Sequence, residues 1–218
     1  MNQHTNPPSA REMMLQRIRT ALRDVPTDEP AVAIPRAYRQ TDPSPFDEIV
    51  ARFIERVREY KAIVQATTLA ALPEAIAAAC ARHGVQRLAV PTDLSPGWLP
   101  REVTLLRDAP PLSNEALDTS DGVLTACLLG IAQTGTIILD GGPGQGRRAL
   151  SLIPDYHLCI VRADQIVGIV PEGIRALTPH ANRPLTFISG PSATSDIELQ
   201  RVEGVHGPRT LEVLVVGT

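Results

Sequence analysis

The feature that most constrains the fold is a regular alternation of helix-type and strand-type segments that begins after Pro45. FDEIVARFIERVREY has the apolar spacing of a helix, KAIVQAT has the composition of a strand, and LAALPEAIAAACARHG and QRLAVP repeat that pair. Gly84 closes the second helical segment, a position where glycine favours helix termination. This order predicts an α/β protein with right-handed crossovers, whose ligands bind beyond the carboxyl ends of the strands.

Composition and length lead to the same class. Apolar residues make up 43% of the 218 residues and aromatic residues only 3%. The core must therefore consist of Ala, Val, Ile and Leu, which favours helices stacked on a mostly parallel sheet. A chain of this length suits one well-buried domain and an arm. We predict a proline-rich arm over residues 1–45 and a domain over residues 46–218.

The arm contains one amphipathic stretch, AREMMLQRIRTALRD. Met14, Ile18 and Leu22 recur at four-residue spacing, which places them on one face of a helix. That face can pack on the chain's own domain or contact a partner subunit, and the pattern leaves both interpretations open.

Charge and segment patterns argue against several classes of protein. The formal net charge is −3 and the basic residues are dispersed, which is unlike a surface that follows nucleic-acid phosphates. No apolar run approaches the roughly 20 residues that span a bilayer, and the start MNQHTNPPSA lacks the pattern of a signal peptide. We therefore expect a cytoplasmic protein with no nucleic-acid partner and no membrane span.

The cysteines do not form a recognisable ligand motif. Cys80, Cys127 and Cys159 each stand alone in Ala-rich or aliphatic surroundings, which predicts small buried apolar side chains. A conventional iron–sulfur cluster normally takes four cysteine thiolates. We therefore expect no cofactor and no metal site in this chain.

Two turns in the second half carry polar groups. Gln133-Thr134-Gly135-Thr136 lies between two β-rich runs and could present hydroxyls, an amide and backbone donors to a ligand, or serve as an ordinary hairpin turn. The loop GGPGQGRR lacks the spacing of a dinucleotide or P-loop motif. Arg147 or Arg148 could face an anionic ligand there, or both could be solvated.

A third segment, LTFISGPSATSDIELQ, runs from a strand towards a predicted helix. Ser192 or Thr194 would be the N-cap, and Asp196 and Glu198 would lie in the first turn, where free amides attract a carboxylate or phosphate. A well-capped helix without a ligand is the alternative interpretation. His206, which precedes Gly207, is the best titrating candidate, although a lone histidine is more often structural.

These motifs together resemble the signature of the lactate utilisation protein C family, also called the LUD-domain family. The resemblance rests on four segments: Gly130 to Thr136, Arg148 with Ser151-Leu152-Ile153-Pro154 and His157, Ser189 to Glu198, and Gly204 to Pro208. The helix RIRTALRD in the arm also resembles the start of the family's proteins, so the similarity covers nearly the whole chain.

The resemblance implies a three-layer α/β/α sandwich like that of glucosamine-phosphate deaminase, ribose-phosphate isomerase and the CoA transferases. It also implies a role in L-lactate utilisation, in which partner proteins bearing iron–sulfur clusters take part in oxidising lactate to pyruvate. Two residues depart from the family pattern: Gln133 stands where many members have Glu, and Ala193 where many have Arg. An amide cannot act as a carboxylate nucleophile, and loss of the arginine removes one possible carboxylate clamp.

Our leading hypothesis is a non-redox subunit that binds a small carboxylate or other anion and leaves electron transfer to its partners. The competing hypotheses are a transferase or isomerase acting on a CoA thioester or sugar phosphate, and a purely structural assembly protein. An enzyme would need a general base, for which His206, Asp196 and Asp140 are the candidates. The predicted ligand-binding residues are Gln133, Thr134, Gly135, Thr136, Arg148, Ser189, Gly190, Ser192, Thr194, Asp196 and His206.

Overall fold

The computed structural model describes residues 9–25, 34–194, 202–203 and 207–217. The chain divides into two compact units, Met1–Tyr38 and Arg39–Thr218. The division at 38 lies near the predicted arm boundary at 45, which stays a prediction.

In the first unit, the structure describes residues 9–25 and 34–38, and these include the helix α1 over Ala10–Ala21. Ser9 begins it with a capping box, because its hydroxyl accepts a hydrogen bond from the Glu12 amide and the Glu12 carboxylate accepts one from the Ser9 amide. The predicted helix is therefore present. No residue of α1 is buried, so what its apolar face packs against stays open.

The second unit contains the remaining helices and the strands. The helices are α2 (Phe46–Glu59), α3 (Leu72–Arg82), α4 (Asn114–Asp118) and α5 (Val170–Ala176), with 3₁₀ turns at Pro96–Trp98, Ala163–Gln165 and Thr178–His180. The strands are β1 (Ile63–Thr68), β2 (Arg87–Val90), β3 (Thr104–Arg107), β4 (Gly122–Thr125), β5 (Leu129–Ile131), β6 (Thr136–Leu139), β7 (Tyr156–Arg162), β8 (Ile166–Val167), β9 (Thr186–Ile188), β10 (Ala193–Thr194), β11 (Val202–Glu203) and β12 (Thr210–Gly217).

Six strands form an entirely parallel sheet in the order β1-β12-β7-β4-β2-β3. Both faces of this sheet are covered, as the continuous aliphatic runs predict. In β12, Val213 and Val215 point to the face that packs with Phe53 of α2, whereas Leu214 and Val216 point to the face covered by α3. The result is the three-layer α/β/α arrangement expected from the sequence.

A second sheet of four strands, in the order β8-β5-β6-β9, adds to the α2 side. Strands β5 and β6 form the predicted antiparallel hairpin. Ile137 of β6 shares an apolar cluster with Phe53 and Val57 of α2, while Ile138 points into a separate cluster on the opposite face. The hairpin was predicted from sequence, but its assembly with β8 and β9 into a separate sheet was not.

The predicted helix after Ser192 is not supported where the chain is described. Ala193–Thr194 form a short strand that pairs antiparallel with Val202–Glu203, so Ser192 does not cap a helix. Pairing of these backbones satisfies the amides that a helix start would leave free. The rest of that predicted helix, including Asp196 and Glu198, lies outside the described residues.

Other expectations from the sequence are met. Gly84 follows α3 with φ of +64°, as its predicted position at the end of that helix requires. Cys80, Cys127 and Cys159 are free and buried. Among the described residues, none of the helices combines the length and apolarity needed to cross a membrane.

Candidate functional site

A pocket of about 250 Å³ opens beside the amino ends of β7 and β12. His157 and Leu211, the second residues of these neighbouring strands, lie opposite each other in the parallel register and contribute to its lining. We call it the His157 pocket, and its described lining residues are Arg148, Ser151, His157, Thr186, Phe187, Ile188, Ser189, Gly190, Pro191, Ser192, Gly207, Pro208 and Leu211. Its position at the amino ends differs from the expected carboxyl-end site, because the glycine-rich loop and the segment after β9 fold over this edge.

Four of the predicted ligand-binding residues meet in this pocket: Arg148, Ser189, Gly190 and Ser192. They come from two distant segments of the chain, the loop before β7 and the turn after β9. The structure thus brings together motifs that the sequence shows only separately.

The two adjacent arginines have different environments. Arg147 binds the Asp108 carboxylate through Nε at 2.8 Å and Nη2 at 3.1 Å, and also donates to the Leu112 carbonyl. Arg148 is exposed and donates to the Ser151 hydroxyl at 3.2 Å, and it makes no ion pair within the described part of the chain. Arg148 is therefore the guanidinium available to an anion in the pocket.

The polar turn predicted around Gln133 lies behind the pocket wall. The Thr134 hydroxyl lies 2.7 Å from the Thr136 hydroxyl, which lies 2.8 Å from that of Ser189. Three hydroxyls therefore form a line that ends at a residue lining the pocket. This contact holds the Ser189 hydroxyl oxygen in place beside the pocket.

Gln133 and Gly135 have structural contacts and do not line the pocket. The Gln133 side-chain carbonyl accepts a hydrogen bond from the Val170 amide at the start of α5, at 3.1 Å. Gly135 has φ of +58°, and a Cβ there would lie 2.7 Å from the Arg56 carbonyl carbon. The backbone of α2 thus approaches this turn too closely for any side chain.

His157 was not selected as a site residue from the sequence, although it belongs to the quoted signature. Its side chain is only 1% exposed, and Nε2 lies 2.8 Å from the Thr125 hydroxyl. Thr125 is fully buried on the neighbouring strand β4, where it pairs in register with Cys159. A buried histidine with a fixed polar partner at a pocket is a candidate for contact with a ligand.

Two thiols continue this buried polar line. The Thr125 hydroxyl donates towards the Cys159 sulfur at 3.9 Å. A hydrogen bond from Cys127 lowers the pKa of the Cys159 thiol, burial opposes this, and His157 and Thr125 lower it further. The contact with Cys159, together with burial, raises the pKa of Cys127. Of the two thiols, Cys159 is therefore the one that ionises more readily.

Asp140, one of the candidate general bases, is fully engaged. Its Oδ1 accepts hydrogen bonds from the Gly142 amide at 3.0 Å and from the Gln145 side chain at 2.9 Å. Its Oδ2 accepts a hydrogen bond from Arg183 at 2.7 Å and lies 2.8 Å from His180 Nδ1. Burial raises the pKa of Asp140, but these bonds outweigh burial and hold the pKa below its ordinary value. This environment suits a residue that organises the glycine-rich loop, and it does not suit a base.

The remaining candidates cannot be placed in the pocket. Asp196 and His206 lie outside the described residues, and Thr194 lies in β10, whose side chains are not described. Their ligand-binding and catalytic roles stay predictions. Within the described ranges, no group of three His, Cys, Asp or Glu side chains could hold a metal ion.

A larger cavity of about 870 Å³ lies at the carboxyl ends of β2 and β3. Its described charged lining residues are Asp93, Asp108, Asp140, Arg147, Arg148 and Arg183. Arg147 pairs with Asp108 and Arg183 with Asp140. The described lining of this cavity balances three arginines against three aspartates, whereas Arg148 is the one charged side chain in the described lining of the His157 pocket.

Comparison with known proteins places the chain in a family. The LUD domain model matches residues 50–216. The chain is 47% identical to lactate utilization protein C of Deinococcus radiodurans over 98% of this chain and 100% of that protein. It is 36% identical to lactate utilization protein C of Shouchella clausii over 48% of this chain and 47% of that protein.

A solved structure agrees with these sequence relatives. The crystal structure of a DUF162 family protein from Deinococcus radiodurans superposes with a TM-score of 0.72 at 46% identity, covering 80% of this chain and all of that one. The match of the family model over most of the second unit, together with full-length similarity to a relative, establishes that the chain belongs to the LUD domain family.

Proposed function

We propose that this protein is a non-redox subunit of an L-lactate utilisation system, where it acts with iron–sulfur partner proteins that carry the electrons from lactate to an acceptor. The names of its relatives, lactate utilization protein C, support the role in lactate utilisation. The observation that carries the ligand-binding part of the proposal is the exposed Arg148 guanidinium at the mouth of a small pocket, without an ion pair among the described residues.

The chemistry of the pocket fits a small carboxylate. A guanidinium donates two parallel hydrogen bonds to a carboxylate. The hydroxyls of Ser151 and Ser189 can contact further oxygen atoms, and a volume of about 250 Å³ suits a compact acid. We therefore propose lactate, or the pyruvate formed from it, as the occupant.

The division of labour between subunits is consistent with the cysteine content. The chain has three cysteines, fewer than the four thiolates of a conventional iron–sulfur cluster. In the proposed system, this subunit positions the acid while partner clusters accept its electrons.

The assembly is tested by anaerobic affinity purification of the tagged chain from its native cells. Iron content and lactate-dependent dye reduction are measured on the purified complex and on the lone chain. We expect iron-rich partners and activity in the complex only. Absence of any partner, or turnover by the lone chain, contradicts the subunit proposal and supports an independent enzyme.

Ligand binding is tested separately by calorimetric or NMR titration of the lone chain with lactate and pyruvate. Arg148→Gln removes the charge and should weaken binding at least about tenfold, while Arg148→Lys keeps the charge but not the bidentate fork. Arg101→Gln is the matched control, because Arg101 is an exposed arginine that does not line the pocket. Equal affinity in Arg148→Gln and Arg101→Gln contradicts the assigned carboxylate site.

A further inference from the structure

We infer that the ion pair between Asp108 and Arg147 positions Arg148 for the acid, because it fixes the turn that holds this guanidinium at the junction of two cavities. Neither Asp108 nor Arg147 is among the described residues that line the His157 pocket, so both are positioning residues that act through Arg148. The inference rests on the proposed function, since it concerns how the same carboxylate site is held in place.

Arg148 needs a fixed backbone because it lines both the His157 pocket and the larger cavity at the carboxyl ends of β2 and β3. Its side chain is exposed, and among the described residues its guanidinium makes one hydrogen bond, to the Ser151 hydroxyl at 3.2 Å. A long arginine side chain with so few contacts retains much rotamer freedom. The cavity that the guanidinium faces therefore depends on where the turn holds the Arg148 backbone.

The first end of this turn is anchored through Arg147. Its Nε and Nη2 atoms donate to the two carboxylate oxygens of Asp108 at 2.8 and 3.1 Å, and Nη2 also donates to the Leu112 carbonyl. The Asp108 amide in turn donates to the Val90 carbonyl of β2 at 3.2 Å. Two parallel hydrogen bonds between a guanidinium and a carboxylate define one geometry, so Arg147 is tied to the edge of the parallel sheet.

The other end of the turn is anchored by Leu150, which is fully buried in an apolar cluster with Ala89 and Val123 of the sheet. The Leu150 amide donates to the Arg147 carbonyl at 3.0 Å. This hydrogen bond closes a four-residue turn in which Arg148 is the second residue. The structure thus holds both ends of the segment that presents the guanidinium.

Gly146 explains why the ion pair is needed at the first end. It directly precedes Arg147 and has φ of +68°, and the wide range of backbone angles open to glycine lets the chain rotate there. Contacts of the loop before Gly146 therefore place little constraint on the residues that follow it. Without the ion pair, Leu150 alone would hold the turn, and Arg148 could move from one cavity towards the other.

The test removes the ion pair without changing the net charge, in the double variant Asp108→Asn/Arg147→Gln. We expect its affinity for lactate to fall about three- to tenfold in a calorimetric or NMR titration, since Arg148 must then be ordered on binding. The matched control is Asp42→Asn/Arg52→Gln. Asp42 and Arg52 form another partly buried ion pair, at 2.6 Å, and line neither cavity, so the control should bind lactate as the wild-type protein does.

Equal affinities of Asp108→Asn/Arg147→Gln and the wild-type protein overturn the inference. An equal loss in the control also overturns it, because general destabilisation would then explain both results. Arg147→Lys keeps the charge but not the bidentate fork, and it should show a smaller loss of the same kind. This milder variant decides the matter if the double variant does not fold.

The route through Arg148 is tested by removing the ion pair in the Arg148→Gln background. An ion pair that acts only through Arg148 then has no guanidinium left to position, so the affinity for lactate should not fall further. A second loss as large as the one in the wild-type background overturns the positioning role.

A measurement without any acid separates the inference from the proposed function. The NMR order parameter of the Arg148 backbone amide should be lower in Asp108→Asn/Arg147→Gln than in the wild-type protein and in the control. An undiminished order parameter overturns the inference. Failure of the wild-type protein to bind either lactate or pyruvate overturns the proposed function instead, and the order parameter still decides whether the ion pair fixes the turn.

Discussion

The hydroxyl oxygen of Ser189 lies 2.8 Å from that of Thr136, so a residue that lines the His157 pocket is held by one that is 6% exposed in the neighbouring strand. Ser189 follows β9 and Thr136 begins β6, and these strands pair antiparallel. The second sheet thus positions one wall of the pocket through side chains as well as through its backbone.

Thr136→Val should weaken ligand binding although Thr136 does not line the pocket. The isosteric change removes a buried hydroxyl that contacts both Thr134 and Ser189, and should lower the free energy of unfolding by about 1–2 kcal/mol. The Ser189 hydroxyl would lose the contact that holds it in place, and affinity for lactate should fall several-fold in a titration. Unchanged affinity would show that the Ser189 hydroxyl does not contact the ligand.

The buried Glu212 carboxylate is expected to contribute to stability and not to ligand binding. It is fully buried in β12 and contacts Arg82, His83 Nε2 at 3.0 Å and the Tyr156 hydroxyl at 2.9 Å. Burial and the Glu212 charge raise the pKa of Tyr156, which therefore remains a donor. Glu212→Leu should lower the free energy of unfolding by about 2–3 kcal/mol, because the tyrosine hydroxyl loses its partner inside the protein.

Urea unfolding measures this effect, with Glu59→Gln as the control. Glu59 pairs with Arg56 at the surface, where its side chain is 50% exposed, so its loss should change stability by less than about 1 kcal/mol. A Glu212→Leu variant as stable as the control would mean that repacking compensates for the lost hydrogen bonds.

Much of the fold could be predicted because each face of the parallel sheet is buried. The alternation of helix-type and strand-type segments predicted the fold class and the elements from α2 to β2, and the Gln133 turn indicated the hairpin. The order of strands could not be predicted, since β12, the last in the chain, inserts between β1 and β7. Pairing between distant strands depends on the packing of the whole layer and leaves no local pattern.

The site was predictable only in part. Arg148 and Ser189 were selected because charge and a glycine-containing turn are visible locally. His157 stands within the aliphatic run YHLCIV, where a single polar residue resembles a structural one, and its partner Thr125 lies in another segment. Their contact arises from the parallel pairing of β4 with β7, which only the folded sheet defines.

The second sheet's approach to α2 predicts a difference between two glycines with the same backbone conformation. Gly135 has φ of +58°, and a Cβ added there would lie within 3 Å of backbone atoms of Arg56 and Val57, whereas Gly84 has φ of +64° and an added Cβ would meet nothing within 4 Å. Gly84→Ala should lower the free energy of unfolding by about 1 kcal/mol for the left-handed backbone alone. Gly135→Ala should cost about 1–3 kcal/mol more, because α2 must move.

Thermal and urea unfolding of the two variants measure that difference. The comparison isolates the effect of the close approach of α2 to Gly135, since both substitutions place the same methyl group on a residue with a left-handed backbone conformation. Equal destabilisation would show that α2 can shift away from the turn without an energetic penalty.

The last prediction concerns acid. Asp42, whose side chain is 1% exposed, accepts hydrogen bonds from Arg52 at 2.6 Å and from the amide and hydroxyl of Ser44. Burial raises the pKa of Asp42, but these bonds and the Arg52 charge outweigh it and lower the pKa to about 2. Because the pKa of Asp42 is lower in the folded than in the unfolded chain, the Asp42 carboxyl group binds a proton less tightly in the folded state. Asp42 therefore stabilises the protein only while its carboxylate is ionised.

The contribution should be complete above about pH 5 and should disappear as the pH falls from about 4 to about 2. Its size is on the order of 2 kcal/mol, since one pKa unit corresponds to about 1.4 kcal/mol. Asp42→Asn cannot ionise, so the stability difference between the wild-type protein and this variant, measured by urea unfolding from pH 6 downwards, should shrink across that window. A difference that stays constant between pH 5 and pH 3 would mean that Asp42 acts through shape and hydrogen bonding, and that its charge does not hold residues 42–44 against α2.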